Sequence, residues 1–167
     1  GIGEIGLDYF YSPSTRQQQA AALESQFQLA LDLGLPIIFH VRDAFGDFWP
    51  IFSNFSSNSQ KIRGVLHSFT DSQKNVDKAR AHNLLIGVNG IATFTKDEHQ
   101  KNMYKNLPLS SMILETDAPY LTPVPERGKI NEPVYVRRVA EYIAALRAVS
   151  VEEIIAATTH NATRLFN

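Results

Sequence analysis

The chain of 167 residues contains no cysteine, which excludes disulfide bridges and thiolate metal ligands. Any metal site must therefore use nitrogen and oxygen donors. The chain also lacks a run of about 18 consecutive apolar residues, the length that a membrane-spanning helix requires. We therefore expect a soluble protein of the cytoplasm.

An excess of charge of either sign is absent as well. The chain has 16 Lys and Arg residues against 17 Asp and Glu residues, a formal net charge of −1. No global positive field points to nucleic acid, although a local metal cluster could still bind phosphate. Because 44% of the residues are hydrophobic and no segment is of low complexity, we expect residues 1–167 to form a single α/β domain.

Short apolar runs alternate with longer amphipathic segments, a pattern that predicts parallel strands joined by helices. The predicted strands are 1–7, 36–41, 62–67, 84–88 and 111–115. The predicted helices are 15–33, 44–55, 72–83, 97–106, 132–149 and a last one that runs to the C-terminus. A polar Ser/Asn turn should precede Ile62, Asn131 should cap helix 132–149, and Ser150 with Glu153 should cap the last helix.

Four apolar segments each end near a side chain that commonly binds metals. The segments are GIGEIGLD, PIIFHVR, GVLHSF and MILETDAPYL, and the side chains are Glu4, His40, His67 and Asp117. In an α/β barrel the strand ends converge on one rim, so residues far apart in sequence can hold the same ion. The pattern predicts one shared metal site with hydrolytic chemistry.

Each of these four residues also has an ordinary structural explanation when it is taken alone. Glu4 could be a solvated edge residue, and His40 and His67 could be hydrogen-bonded core histidines. Asp117 could cap the turn that precedes Pro119. Their occurrence together at successive strand ends favours the metal ligands.

Five parallel strands could also form an open sheet. Parallel strands are normally buried on both faces, however, and their outer edges need partners. The chain begins abruptly inside a strand. We therefore expect that these residues are the C-terminal portion of a longer domain.

Seven short motifs run through the whole chain, namely GEIGLDY, HVRD, HSFTDS, GVNG, LETDAPYLTP, NEPVYV and HNATRLF. Together they resemble the TatD-type metal-dependent deoxyribonucleases. The resemblance implies an amidohydrolase-like α/β fold, a (β/α)8 TIM barrel, of which this chain represents only strands 4 to 8 and their helices. The His-x-His pair of the family's first strand does not occur in this sequence.

The resemblance also implies a role for each of the four residues. Glu4 would bridge two divalent metal ions, and His40 and His67 would hold one of them together with Glu4. Asp117 would ligate the other ion and act as the general base, so that Asp117 and Glu4 are the catalytic residues. Mg²⁺ or Mn²⁺ is implied for activity, with Zn²⁺ as a further candidate.

The reaction implied by the resemblance is hydrolysis of DNA phosphodiester bonds from an end, with DNA as substrate and neither a membrane nor an obligate protein partner. Two alternatives stay open. The same scaffold could cleave another small phosphoester, an ester or an amide, because the ligands determine the metal chemistry while the loops determine the substrate. The chain could also be a non-catalytic fragment that lacks the His-x-His ligands.

Further residues near the strand ends are weaker candidates. Arg42 and Tyr120 could bind substrate, and Asp8 and Glu115 could orient the ligands from behind. Aromatic side chains near strand ends could stack on bases, although packing explains them equally well. These aromatic residues are Tyr9, Phe10, Tyr11, Phe69 and Tyr120.

Two loops depart from the family's patterns HxFTG and RGxRNEP. Asp71 replaces the glycine of the first, and Ile130 replaces the second arginine of the other. Both changes make the local charge less positive. We therefore expect phosphate binding to be weaker here or directed at another substrate.

Overall fold

The computed structural model describes residues 1–11, 13–56 and 62–167. Its strands are β1 (Ile2–Asp8), β2 (Ile37–Arg42), β3 (Gly64–Leu66), β4 (Leu85–Val88) and β5 (Met112–Leu114). Its helices are α1 (Arg16–Asp32), α2 (Phe45–Ser56), α3 (Gln73–Ala81), α4 (Ile91–Phe94), α5 (Glu98–Asn106), α6 (Val136–Arg147) and α7 (Val151–Phe166). The alternation of strands and helices is confirmed, while the predicted polar turn before Ile62 falls on 57–61, outside the described residues.

The five strands form one parallel sheet whose spatial order, β1-β2-β3-β4-β5, equals the order along the chain. Connections between parallel strands are right-handed, so an order without reversal places the connecting helices on one face. A doubly wound sheet would reverse its order near the middle. The topology is therefore that of a barrel wall, and the carboxyl ends of the strands share one rim.

The two faces of the sheet pack differently because successive strand residues point to opposite sides. Phe39, Leu66, Ile86 and Met112 belong to the main core, which also contains the buried side chains of the helices. Their chain neighbours Val65, Leu85 and Ile113 lie in a separate cluster on the other face, together with Leu165 near the end of α7. The last turns of α7 thus cover the face of the sheet that the other helices leave open.

Polar contacts fix α7 in this position. The buried side chain of Asn161 donates to the carbonyl oxygens of Leu109 and Met112, each at 2.7 Å. Arg63, just before β3, donates to the Leu165 carbonyl at 3.2 Å. Ser150 accepts a hydrogen bond from the Glu153 N–H, so the predicted cap of this helix is confirmed.

The predicted cap of α6 is wrong. The helix begins at Val136, after a 3-10 turn at Pro133–Tyr135, and not directly behind Asn131. The side-chain nitrogen of Asn131 donates instead to the Tyr120 carbonyl, and its backbone N–H donates to the Pro119 carbonyl. Asn131 therefore ties the loop that follows Asp117 rather than a helix end.

The β1–β2 pair contains a close backbone approach at Gly6, which lies opposite His40. A Cβ atom at Gly6 would lie 1.7 Å from the His40 carbonyl oxygen. We expect Gly6→Ala to lower the free energy of unfolding by about 3 kcal/mol, because the backbone must move to admit the methyl group. Urea denaturation measures this change.

Gly46→Ala is the matched control for this substitution. Gly46 lies in α2, and no atom lies within 4 Å of the position that a Cβ atom would take there. Alanine should stabilise that helix by about 0.5 kcal/mol or more. Equal urea midpoints for Gly6→Ala and the unsubstituted chain would contradict the close approach.

Candidate metal centre

The polar side chains predicted at strand ends come from four of the five strands, β1, β2, β3 and β5, or from the residues that directly follow them. Glu4 lies in β1 and His40 in β2, while His67 directly follows β3. Glu115 and Asp117 follow β5. Parallel pairing brings these positions to one rim, where Gly6 pairs with His40 and the His67 N–H donates to the Phe39 carbonyl.

Glu4, His67 and Asp117 form a compact group. The Nε2 atom of His67 lies 3.2 Å from Oε1 of Glu4 and 2.8 Å from Oδ1 of Asp117. One donor atom from each residue lies within 4.8 Å of the other two. The His67 side chain is 9% exposed and that of Glu4 is 52% exposed, so the group is anchored on its buried side and open on the other.

Glu115 holds the opposite side of the His67 ring. Its Oε1 atom lies 3.0 Å from Nδ1 of His67 and accepts a hydrogen bond of 2.5 Å from the Ser68 N–H. A hydrogen on Nδ1 leaves Nε2 free to bind a cation, the arrangement typical of metal-binding histidines. The structure therefore brings Glu115 behind His67, where the sequence had suggested an orienting role.

His40 lies beside this group rather than within it. Its Nδ1 atom is 3.9 Å from Oε2 of Glu4, and its Nε2 atom is 3.0 Å from Oδ2 of Asp8. Asp8 thus contacts His40 in the manner expected of an orienting carboxylate. The predicted ligand role of His40 and the predicted assignment of Asp117 to a second ion both stay predictions.

The electrostatics of the site follow from these contacts. Burial alone would lower the pKa of His67, but hydrogen bonds to Asp117 and Glu115 and the charge of Glu4 raise it to about 10. The hydrogen bond from His67 holds the pKa of Asp117 below its ordinary value. Three carboxylates around one imidazole thus favour positive charge at this place.

This donor set fits a divalent cation. Carboxylate oxygens and an imidazole nitrogen are ligands that Mg²⁺, Mn²⁺ and Zn²⁺ accept. Without an ion, the surrounding carboxylates favour a protonated, positively charged His67. A bound cation would bring positive charge to the same place and leave the imidazole neutral. Glu4, His67 and Asp117 are the residues that could hold such an ion.

A cavity of about 850 Å³ opens over the group. Arg42, Tyr11 and Tyr120 line it together with Glu4, His40, His67 and Asp117. The remaining aromatic candidates divide by burial: Tyr9 and Phe69 belong to the core, whereas Phe10 is 54% exposed. Among the described residues no helix has the length and apolarity needed to cross a bilayer.

Comparison with known proteins identifies the family. The model of the TatD related DNase family matches residues 1–167. The chain belongs to this family. The resemblance inferred from the seven motifs is therefore confirmed.

The TatD relatives are longer than this chain. It is 40% identical to "Uncharacterized metal-dependent hydrolase YcfH" of Escherichia coli K12, covering 99% of this chain and 62% of that protein. It is 34% identical to "3'-5' ssDNA/RNA exonuclease TatD" of Erwinia tasmaniensis, covering 99% of this chain and 65% of that protein. The chain thus spans about three fifths of the length of the first of these relatives.

A solved TatD structure shares the fold. The crystal structure of YjjV, a TatD homolog from Escherichia coli K12, superimposes with a TM-score of 0.91 at 30% identity. The match covers 100% of this chain and 63% of that one. The parallel α/β fold is therefore confirmed, and the assignment of these strands to positions 4 to 8 of a barrel stays a prediction.

Two residues of this TatD site received no role from the sequence. Gly87 in β4 leaves room for the Glu115 carboxylate, because a Cβ atom there would lie 2.4 Å from its Oε1. A glycine inside an apolar strand is a signal for such an approach, so Gly87 could have been found. Ser68 adopts a left-handed conformation with φ 49° and presents its N–H to Glu115, and no sequence pattern marks that conformation at a serine.

We expect Glu115→Gln to weaken Mn²⁺ binding by about tenfold, because the amide loses the charge that favours a hydrogen on Nδ1 of His67. Gly87→Ala should cause a similar loss, since its methyl group displaces the same carboxylate. Isothermal titration with Mn²⁺ measures both. Glu24→Gln, on the exposed side of α1, is the control that should change nothing. Affinities unchanged in both site variants would show that Glu115 does not orient His67.

Proposed function

We propose that this domain hydrolyses phosphodiester bonds of single-stranded DNA from an end, with a divalent metal ion held at the candidate metal centre. The observation that carries the proposal is the convergence of Glu4, His67 and Asp117 at one rim of the sheet, with Glu115 behind His67. We further propose that it acts in the cytoplasm without an obligate protein partner. Membership of the TatD related DNase family supports the reaction class.

The choice of a single strand rests on two supports. The Erwinia tasmaniensis relative carries the name of a 3'-5' ssDNA/RNA exonuclease. The cavity also contains exposed aromatic rings, Tyr11 and Tyr120, which unpaired bases can stack on and paired bases cannot. We propose the same exonuclease activity for this chain.

Glu4, His67 and Asp117 would hold the ion. His40 would be a further ligand, with its ring oriented by the contact with Asp8. A bound divalent ion supplies Lewis-acid chemistry, making a water molecule more acidic and offsetting negative charge on the phosphoryl oxygens. Glu4 offers two oxygens, so it is the residue suited to face two ions. We propose that the complete site holds two ions, as the family resemblance implies.

Asp117 would accept the proton from the attacking water. Its carboxylate is ionised at neutral pH: the hydrogen bond from Nε2 of His67 keeps its pKa low in this structure, and a cation bound at that nitrogen would keep it low instead. Its side chain is 26% exposed and lines the cavity, so water and substrate both reach it. Asn131 helps to fix this position through Tyr120, whose N–H donates to the Asp117 carbonyl.

Neither of the two departures from the family's loops, Asp71 and Ile130, is among the residues that line the cavity over the candidate ligands. The Asp71 carboxylate accepts hydrogen bonds from the Ser72 N–H and the Asn75 side chain. Ile130 is 74% exposed. Arg42 is the only Arg or Lys among the described residues that line the cavity, so phosphate recognition depends on it more heavily than in a site with a second arginine.

A panel of substrates tests the proposed function. The full chain is supplied with Mn²⁺, Mg²⁺ or Zn²⁺ and given an end-labelled single-stranded oligonucleotide, bis(4-nitrophenyl) phosphate, 4-nitrophenyl acetate and an anilide. We expect release of mononucleotides from the oligonucleotide and hydrolysis of the phosphate diester. Turnover of the acetate or the anilide alone would favour another hydrolase of this scaffold, and no turnover of any substrate would favour a non-catalytic fragment.

A further inference from the structure

A small platform lies beside the metal centre on the segment that follows β1. Phe10 and Tyr11 pack edge to face with their ring centroids 4.8 Å apart. The N–H groups of both residues donate to Oδ1 of Asp8, at 2.9 and 3.0 Å. Because Oδ2 of the same carboxylate contacts His40, Asp8 fixes the distance between the platform and the metal centre.

Arg42 completes this platform. Its guanidinium carbon lies 3.9 Å from the ring centroid of Phe10 and 5.0 Å from that of Tyr11. No ion pair involves Arg42 within residues 1–11, 13–56 and 62–167, although acidic residues lie nearby in the cavity. The rings therefore hold the guanidinium in place while its N–H groups stay available to an anion.

The rings of Phe10 and Tyr11 are both exposed to solvent. Tyr11 is 73% exposed and lines the cavity that contains Glu4 and Asp117. An exposed ring adjoining a guanidinium offers a stacking face for a base and a planar fork of donors for a phosphate. A base and a phosphate occur together in one nucleotide.

We propose that Phe10, Tyr11 and Arg42 form a subsite for one unpaired nucleotide beside the scissile bond, in which Arg42 binds its phosphate and Tyr11 stacks on its base. The inference rests on the proposed function, since it names how the same site selects its substrate. A base in a duplex is already stacked and paired, so the subsite excludes double-stranded DNA. Asp8 is a positioning residue that links the subsite to His40.

Binding of a fluorescein-labelled oligothymidylate tests the subsite without any hydrolysis. The full chain is titrated in EDTA at several salt concentrations, and fluorescence anisotropy gives the Kd. We expect Arg42→Ala to weaken binding about tenfold and to lower the slope of log Kd against log salt by about 0.7, the contribution of one phosphate contact on a single strand. Tyr11→Ala should weaken binding about tenfold and leave the slope unchanged.

Matched controls separate these effects from a loss of structure. Tyr11→Phe keeps the ring and should bind like the unsubstituted chain. Arg16→Ala removes a guanidinium that also lies over an aromatic ring, 4.3 Å from the Tyr9 centroid, but does not line the cavity. It should change the Kd by less than about twofold.

Several results would overturn the subsite. Two concern the variants: equal Kd values for Arg42→Ala and Arg16→Ala, or an unchanged Kd for Tyr11→Ala. Two concern the unsubstituted chain: binding of a blunt duplex as tightly as oligothymidylate, or no binding of oligothymidylate at all. Hydrolysis of bis(4-nitrophenyl) phosphate tests the proposed function separately, because this small diester needs no base stacking. Failure of the unsubstituted chain to hydrolyse this diester would overturn the proposed function instead.

Discussion

Asp117→Asn is expected to lower metal-dependent hydrolysis of a single-stranded oligonucleotide by about 10³-fold. Asparagine has nearly the same shape as aspartate, but it cannot accept the proton of the attacking water and carries no charge to hold a cation. The Oδ1 atom of Asp117 lies 2.8 Å from Nε2 of His67, so the substitution also removes a charge from the centre of the ligand group. Initial rates of mononucleotide release, measured with saturating Mn²⁺, give the ratio.

Asp97→Asn is the control for this result. Asp97 caps α5 through a hydrogen bond from the His99 N–H, and asparagine caps a helix equally well. It carries the same change of charge and does not line the cavity. Its rate should stay close to that of the unsubstituted chain, and an Asp117→Asn rate within about threefold of that value would contradict the role given to Asp117.

Removal of the metal should have the second large effect. Because an ion that binds only the folded chain stabilises it by mass action, Mn²⁺ at a hundred times its Kd should add about 2.7 kcal/mol. For a chain of this size the gain corresponds to a rise in Tm of roughly 5 to 10 °C, which EDTA should reverse. EDTA should also abolish the hydrolysis.

Glu4→Gln should remove most of this thermal shift. Glu4 contributes Oε1 at 3.2 Å from Nε2 of His67, and an uncharged amide is a poor ligand for a hard cation. Glu24→Gln, an exposed substitution on α1, should keep the full shift. Differential scanning fluorimetry of the three proteins with and without Mn²⁺ measures it, and an equal shift in all three would place the bound ion elsewhere.

The sequence alone predicts the strands and most helices, because apolar runs such as Ile37–Arg42 and Met112–Leu114 are visible without a structure. It also predicts that Glu4, His67 and Asp117 meet, since the carboxyl ends of parallel strands share a rim. The end of a strand is marked in the sequence by the end of its apolar run. These predictions therefore needed no knowledge of tertiary contacts.

The parts that sequence reasoning missed depend on contacts between distant segments. Asn131 looks like a helix cap, yet its side chain bonds to Tyr120 in the preceding loop. Gly87 and Glu115 are 28 positions apart, and only the pairing of β4 with β5 shows that one makes room for the other. The short helix α4 also escaped prediction, because four residues are too few to show helical periodicity.

The division of roles within the rim follows from the same contacts. His67 is held on both ring nitrogens by carboxylates, whereas His40 contacts Asp8 through Nε2 and has Nδ1 on the side of Glu4. Asp8 also accepts hydrogen bonds from the N–H groups of Phe10 and Tyr11. The substrate platform and the ligand group are thus joined through one carboxylate.

The position of a bound ion is the most direct test of the candidate metal centre. Crystals of the full chain grown with Mn²⁺ would give an anomalous difference map. We expect a peak within about 2.5 Å of a carboxylate oxygen of Glu4, Nε2 of His67 and a carboxylate oxygen of Asp117. A peak away from these three residues, or no peak while His67 keeps its contact with Asp117, would contradict the assignment of the metal centre.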